Sequence, residues 1–262
     1  MKTFPRTAAA CLLSLPTYAL FSYVVMPVSW RQYYRLAGPP ALSGVTRTAE
    51  GIAADPLNVA LVGTRNDVAQ AMRAAGWCPA DRITLRSGLR DATSVLFHRP
   101  YASAPVSTHL LWERPQDLAF EQSVGGSPRR RHHVRLWQAN QPLDPRNTIW
   151  LGAATYDLRV GFSRYTGEII HHIEPRVDAE RDTLVEDLGG AGRLGRVDCL
   201  AGLRAAGRDR NGSGDDYETD GRLCIAVLRG PLSTPPPAPA PAEVLQALRA
   251  AISRSWSRER LS

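Results

Sequence analysis

The sequence predicts an α+β domain, a largely antiparallel sheet covered by helices, with one N-terminal transmembrane helix. Three observations lead there. Five β-rich runs, HLLWE, DLAFEQ, RRHHVRLWQ, NTIWLGAATYD and GEIIHHIE, crowd the chain as far as residue 174 between Pro, Gly and Asn turn signals. Two helical patterns, beginning at Thr64 and near Arg176, each stop on a glycine. Residues 8–29, AAACLLSLPTYALFSYVVMPVS, carry no charge, and roughly 20 apolar residues suffice to cross a bilayer core.

Taken in chain order, the apolar run lies between Lys2 and Arg6 on one side and Arg31 and Arg35 on the other. It exceeds a secretory h-region and no A-x-A cleavage site follows it. Residues 1–37 therefore read as an uncleaved membrane anchor, or a signal segment, with the remainder on the exported side. Trp30, Tyr33 and Tyr34 would form an interfacial aromatic belt.

After the connector GPPALSG (38–44), a domain spans 55–230. Asn58 to Gly63 is a short strand, Thr64 caps the following helix with Asp67, and Val68, Met72 and Ala75 form its apolar stripe before Gly76 ends it. ITLRSGLRDATSVLF (83–97) is a second candidate helix and HRPYASAPVS (98–107) a loop. RVDAERDTLVEDLGGAG is a helix ending at Gly189, with Val177, Leu184, Val185 and Leu188 inward. DDYETDGRLCIAVLRG reads as a hairpin turning at Asp220-Gly221. PLSTPPPAPAPA (231–242) is a polyproline linker, and 243–262 a basic amphipathic tail with Val244, Leu248, Ile252 and Trp256 four apart.

The net charge of +7 comes with 31 arginines and one lysine, Lys2. No basic and aromatic interleaving accompanies it, so no nucleic-acid partner is expected. Nor does any cofactor motif appear. Among Cys11, Cys78, Cys199 and Cys224 there is no CxxC spacing; Cys199 and Cys224 can bridge in an oxidising compartment, against separate buried thiols as the plainer reading.

The strings VGTRNDVAQAMRAAGWCPAD, QDLAFEQSVGGSPRRRHHVRLW, WLGAATYD and HHIEPRVDAERDTLVEDL, with the 83–107 segment, resemble the bacterial LssY C-terminal domain family over roughly residues 55–230. The resemblance implies an envelope-associated domain, without an activity to carry over. SRYTGEIIHHIEP imitates a lipid-phosphatase segment, but its first histidine, His171, comes one residue late and Pro175 stands where an aspartate is needed.

Candidate ligand-binding residues are Arg129, Arg130, Arg131, His132, His133, Arg135, His171 and His172. Strand alternation splits each HH pair between two faces. If the three strands form a meander, His132 and His171 face inward across Ala154, while His133 faces outward with Arg131 and Arg135. A metal between His132 and His171 would need further ligands, with Glu121, Tyr156 or Asp157 as guesses. The expected function is a membrane-anchored, non-enzymatic module that binds an envelope protein or an anionic lipid or polymer through arginine forks. The alternative is a hydrolase of envelope lipid or glycan with His132 and His171 as acid-base or metal-binding groups.

Overall fold

The computed structural model describes residues 14–37, 44–81, 106–125, 127, 129–139, 148–201, 203–229 and 239–259, with only the helical backbone for 252–259. The 83–97 helix, most of the 98–107 loop and most of the proline-rich linker lie outside them. A helix over 14–37 widens into a π turn at Phe21–Val25 and continues as α1 (Met26–Ala37). Then come β1 (Val45–Thr48), β2 (Ala53–Pro56), β3 (Val59–Val62), α2 (Arg65–Ala74), β4 (Cys78–Pro79), β5 (His109–Leu111), β6 (Arg114–Pro115), β7 (Leu118–Ser123) and β8 (Arg131–Gln138). The chain continues with β9 (Ile149–Phe162), β10 (Ile169–Ile173), α3 (Val177–Gly190), β11 (Leu194–Ala201), β12 (Gly207–Arg210), β13 (Asp216–Thr219), β14 (Arg222–Leu228) and α4 (Pro241–Glu259).

The main sheet runs β11-β14-β3-β9-β8-β7-β4, with β10 on the far half of the long strand β9. Every pairing in it is antiparallel except β14 with β3. Of a second sheet, β2-β1-β5-β6, the sequence reading shows only β5, within HLLWE. Its strands are two to four residues long, too short to show an alternation.

Both faces of the main sheet are covered, which explains the unbroken apolar run of β3. Val59 and Leu61 pack with Val68, Met72, Trp77, Val134, Leu184 and Leu188 under α2 and α3. Ala60 and Val62 pack with Leu111, Trp137, Leu151, Ile225, Val244 and Leu248 on the opposite face. The C-terminal helix is thus docked on the core through Val244 and Leu248, both 0% exposed.

Local signals were read correctly where they close within a few residues. Thr64 and Asp67 form the expected capping box, and Gly76 takes a left-handed φ of +83° after α2. Asn58, beyond any motif, joins three elements: its Nδ2 donates to the carbonyls of Ala154 and Val177, and its Oδ1 accepts from the Ala154 amide.

Three expectations are corrected. Among the described residues no helix is long and apolar enough to cross a membrane. Instead the N-terminal helix is tied to the body: the Tyr18 hydroxyl donates to the Gly167 carbonyl and Trp30 Nε1 to that of Tyr165. Second, Asp220-Gly221 makes its turn, with Gly221 at φ +72°, but no hairpin follows. β13 pairs with β12, while β14 pairs with β11 and β3. Asp178 and Arg181 of α3 hold the turn instead, through the Asp220 amide and carboxylate. Third, Cys199 and Cys224, directly opposite on β11 and β14, are disulfide-bonded with Cα atoms 4.0 Å apart.

This bridge closes a loop of 25 residues. Reduction should lower unfolding stability by about 3 kcal/mol, measured by chemical denaturation with and without reductant. A Cys199→Ser, Cys224→Ser variant should match the reduced protein.

Candidate functional site

Alternation along β8 sends Arg131, His133, Arg135 and Trp137 to one face and His132, Val134 and Leu136 to the other. Of the first set, Arg131, His133 and Arg135 are expected to face outward. They are buried instead, because the second sheet lies over them; Arg131, His133 and Arg135 are each 5% exposed or less. Burying arginines is tolerable only with carboxylates at hand, and the paired strands β7 and β9 and the distant β2 supply them.

Arg131 Nε donates to Asp157 Oδ2 at 2.8 Å and Nη1 to Glu121 Oε2 at 3.0 Å. Arg135 Nη1 donates to Asp55 Oδ2 at 2.8 Å, while Nε and Nη2 reach the Ser107 carbonyl and hydroxyl at 2.9 and 2.7 Å. His133 sits between the two. Its Nε2 is 2.8 Å from Arg135 Nη1 and 2.7 Å from Thr155 Oγ1; its Nδ1 lies 3.3 Å from Asp157 Oδ1, an ion-pair contact rather than a hydrogen bond. An arginine only donates, so Nε2 accepts and Nδ1 carries the proton. His109 of β5 adds its Nδ1 at 3.4 Å from Asp55 Oδ2.

His171 joins this face through a change of register. Opposite β10, Asp157 pairs with Ile173 and Val160 with His171, so three residues of β9 span two of β10. Such a bulge inverts the alternation beyond it. His171 Nδ1 thereby comes 3.5 Å from Arg131 Nη2. The hairpin turn also falls later than expected, leaving His171 opposite Val160 rather than Ala154.

Asp55, Ser107, His109, Arg131, His133, Arg135, Asp157, His171, Asn211 and Ser213 line a cavity of about 220 Å³, with Ile169, Ile170 and Ile173. That is room for roughly seven waters at ~30 Å³ each. Burial raises the Asp157 carboxyl, but His133, His171 and Arg131 together hold it well below the usual carboxylate range. Burial, then Arg135 and His133, hold His109 well below the ordinary imidazole value. Burial likewise lowers His133, against the pull of Asp157.

His132 is in a separate environment on the α3 face. Its Nδ1 is 2.7 Å from Glu180 Oε2, and its ring lies 4.9 Å from that of Tyr156 and 6.1 Å from that of Trp77. Burial pushes the Glu180 carboxyl up to about 7 against the pull of His132. Burial lowers His132, but the bond to Glu180 and its charge leave it raised. His172 makes a third pair, Nδ1 at 2.6 Å from Asp215 Oδ1. Arg129 and Arg130 are exposed beside the β7–β8 turn.

His132 and His171 therefore do not meet, and Glu121 faces the cavity side with Arg131. Among the described residues no group of three or more His, Cys, Asp or Glu is placed to hold a metal. Two wider grooves, about 540 and 490 Å³, flank β12 and β13. Their charges pair among themselves, Arg208 with Glu218 and Arg210 with Asp216.

Thr155, His133 and Asp157 stand in the order hydroxyl, imidazole, carboxylate that activates a nucleophile. Two features oppose that use: Arg135 Nη1 donates to the same Nε2, and Thr155 is 0% exposed. The trio is a structural network.

Asp55, Ser107, His109, Asn211 and Ser213 were missed by sequence reading. The one available signal was the i, i+2, i+4 spacing of Arg131, His133 and Arg135, which marks a polar face; its burial was not legible. Fold and site together define a mixed α+β domain enclosing a charged cavity between two sheets. The chain belongs to the LssY C-terminus family, whose model matches residues 39–223. No curated protein and no solved structure matches it.

Two outcomes follow. Asp157→Asn leaves Arg131 and His133 buried beside a neutral amide and should cost about 3–5 kcal/mol of unfolding stability, read by urea denaturation. Glu180 is raised in the folded state from 4.5 to about 7. The stability this contributes is complete below pH 4.5 and lost as pH rises through 7, and His132, also raised, loses its share in the same direction. Between pH 5 and 8, Glu180→Gln should therefore gain on the wild type by something on the order of 3 kcal/mol, followed by denaturation at each pH.

Proposed function

We propose that the chain is a non-enzymatic module of the bacterial envelope whose cavity binds a small anionic group, a phosphate or carboxylate, from the Arg131–His171 side. One observation carries the reading. Two buried guanidiniums and three imidazoles border a cavity too small for a drug-sized ligand, the guanidiniums fixed by directed bonds to Asp55, Glu121 and Asp157.

The charge balance sets the condition for binding. Asp55, Glu121 and Asp157 face Arg131 and Arg135, so with neutral imidazoles the cluster is one charge negative. An anion is accepted when an imidazole takes up a proton with it. Burial and Arg135 lower His109 and His133, and His171 lines the cavity beside Arg131. Anion affinity then rises as pH falls. The Cys199–Cys224 bridge supports an oxidising, exported location, as does the family's envelope association. The hydrolase reading loses support because its two histidines occupy opposite faces.

Calorimetric titration of the full chain with inorganic phosphate tests the proposal. Saturable binding, tighter at pH 6 than at pH 8 and weakened roughly tenfold in His171→Gln, is the expected result. No saturable binding, or binding indifferent to both pH and His171, would overturn it.

A further inference from the structure

Exposed apolar side chains are normally scattered over a protein surface. Here they are gathered. All thirteen exposed large apolar or aromatic side chains among the described residues belong to one region. Ten are on the N-terminal helix, among them Phe21, Val24 and Val28; the other three, Leu158, Phe162 and Ile169, are on the β9–β10 hairpin beneath it.

The helix lies along that hairpin. Ser22 is buried against Gly167, where any side chain would collide with its hydroxyl. The Ile169 amide donates to the Tyr23 hydroxyl at 3.0 Å, and the Trp30 and Tyr165 rings meet edge-on at 5.6 Å. Tyr34 packs on Gly51. From Tyr18 to Tyr34 the contact extends over roughly 24 Å at ~1.5 Å per residue. The supporting hairpin carries Arg159, Arg164 and Glu168. A helix crossing a bilayer in this pose would draw those charges into hydrocarbon. A helix lying flat would not.

The outward face is graded in a way that selects its occupant. Val24, Val28, Arg31 and Arg35 follow one another at helical spacing, so the apolar stripe ends in two exposed arginines on the same side. The segment 14–37 contains no acidic residue, and residues 8–13 extend it with six further uncharged ones. Apolar residues beside arginines and tyrosines are the composition of a helix at a lipid interface.

We propose that this helix and hairpin face seats on the surface of a lipid bilayer, the helix lying in the membrane plane, with Arg31 and Arg35 at the level of anionic phosphates. The surface is distinct from the cavity, and the two proposals fail separately. Ile169, which belongs to both, places the cavity rim close to the lipid surface.

Co-sedimentation of the full chain with vesicles of phosphatidylcholine, alone or mixed with phosphatidylglycerol, is the test. The chain should partition onto the mixed vesicles. The combined variant Phe21→Ser, Val24→Ser, Val28→Ser alters exposed positions only, should keep its circular dichroism spectrum, and should bind roughly tenfold more weakly or worse. Arg31→Gln with Arg35→Gln should lose roughly fivefold per charge on the anionic vesicles alone. Orientation is read with a fluorophore on Leu20→Cys, Val28→Cys or Phe162→Cys, in a Cys11→Ser, Cys78→Ser background, quenched by lipids brominated at different depths. Equal, shallow quenching at the three sites is expected; a gradient from position 20 to 28 would overturn the in-plane pose. Failure to sediment, or a lipid-free dimer abolished by the triple serine variant, would overturn the docking surface itself.

Discussion

Arg131 and Arg135 are buried on one face of β8, and the rest of the architecture follows from having to neutralise them there. Each needs a carboxylate: Glu121 and Asp157 come to Arg131 from the neighbouring strands β7 and β9, and Asp55 comes to Arg135 from β2. The Arg135–Asp55 pair requires the second sheet to close over the first. It also fixes the register of β8, since a slip of one residue would place His132 among the carboxylates and send both arginines into the apolar layer under α3. The ion pairs are weak evidence of stability in themselves. They do specify which strands meet and how.

The cavity is a by-product of this specification. Guanidiniums, imidazoles and carboxylates fix one another by directed bonds at set distances, and such groups do not fill space as aliphatic side chains do. A polar void of about 220 Å³ is left where β8, β9, β10 and the short second sheet come together. On the opposite face of the same strands, Val134, Leu136, Phe120 and Leu184 form an apolar layer, into which the His132–Glu180 pair is set. The histidines that adjoin in sequence therefore live in different media, one pair of ring nitrogens in an ionic network and the other against tyrosine and tryptophan.

The N-terminal helix shows a related separation of roles. Polar atoms of Tyr18, Tyr23 and Trp30 bond to the hairpin, and Phe21, Val24 and Val28 are exposed. A soluble helix usually does the reverse. That inversion is what distinguishes a surface waiting for a nonaqueous neighbour from one that merely covers a core.

Some of this was written within short stretches of chain. Thr64 with Asp67 and Gly76 delimit α2 because a cap closes within four residues, and the strands β7, β8, β9 and β10 were visible as runs set off by Pro, Gly and Asn turn signals. The division of RRHHVRLW between two faces follows from the pleat alone. What covers each face does not. Four strands of two to four residues formed the sheet that buried Arg131, His133 and Arg135; apart from β5, within HLLWE, segments so short carry no period to read. The bulge that carries His171 to the same cavity depends on the pairing of β9 with β10, one residue of surplus in fourteen, and pairing is a property of two strands together. Local sequence determined which side chains share a face; only the tertiary structure decided which faces are inside, because burial and register are settled by partners far away in the chain.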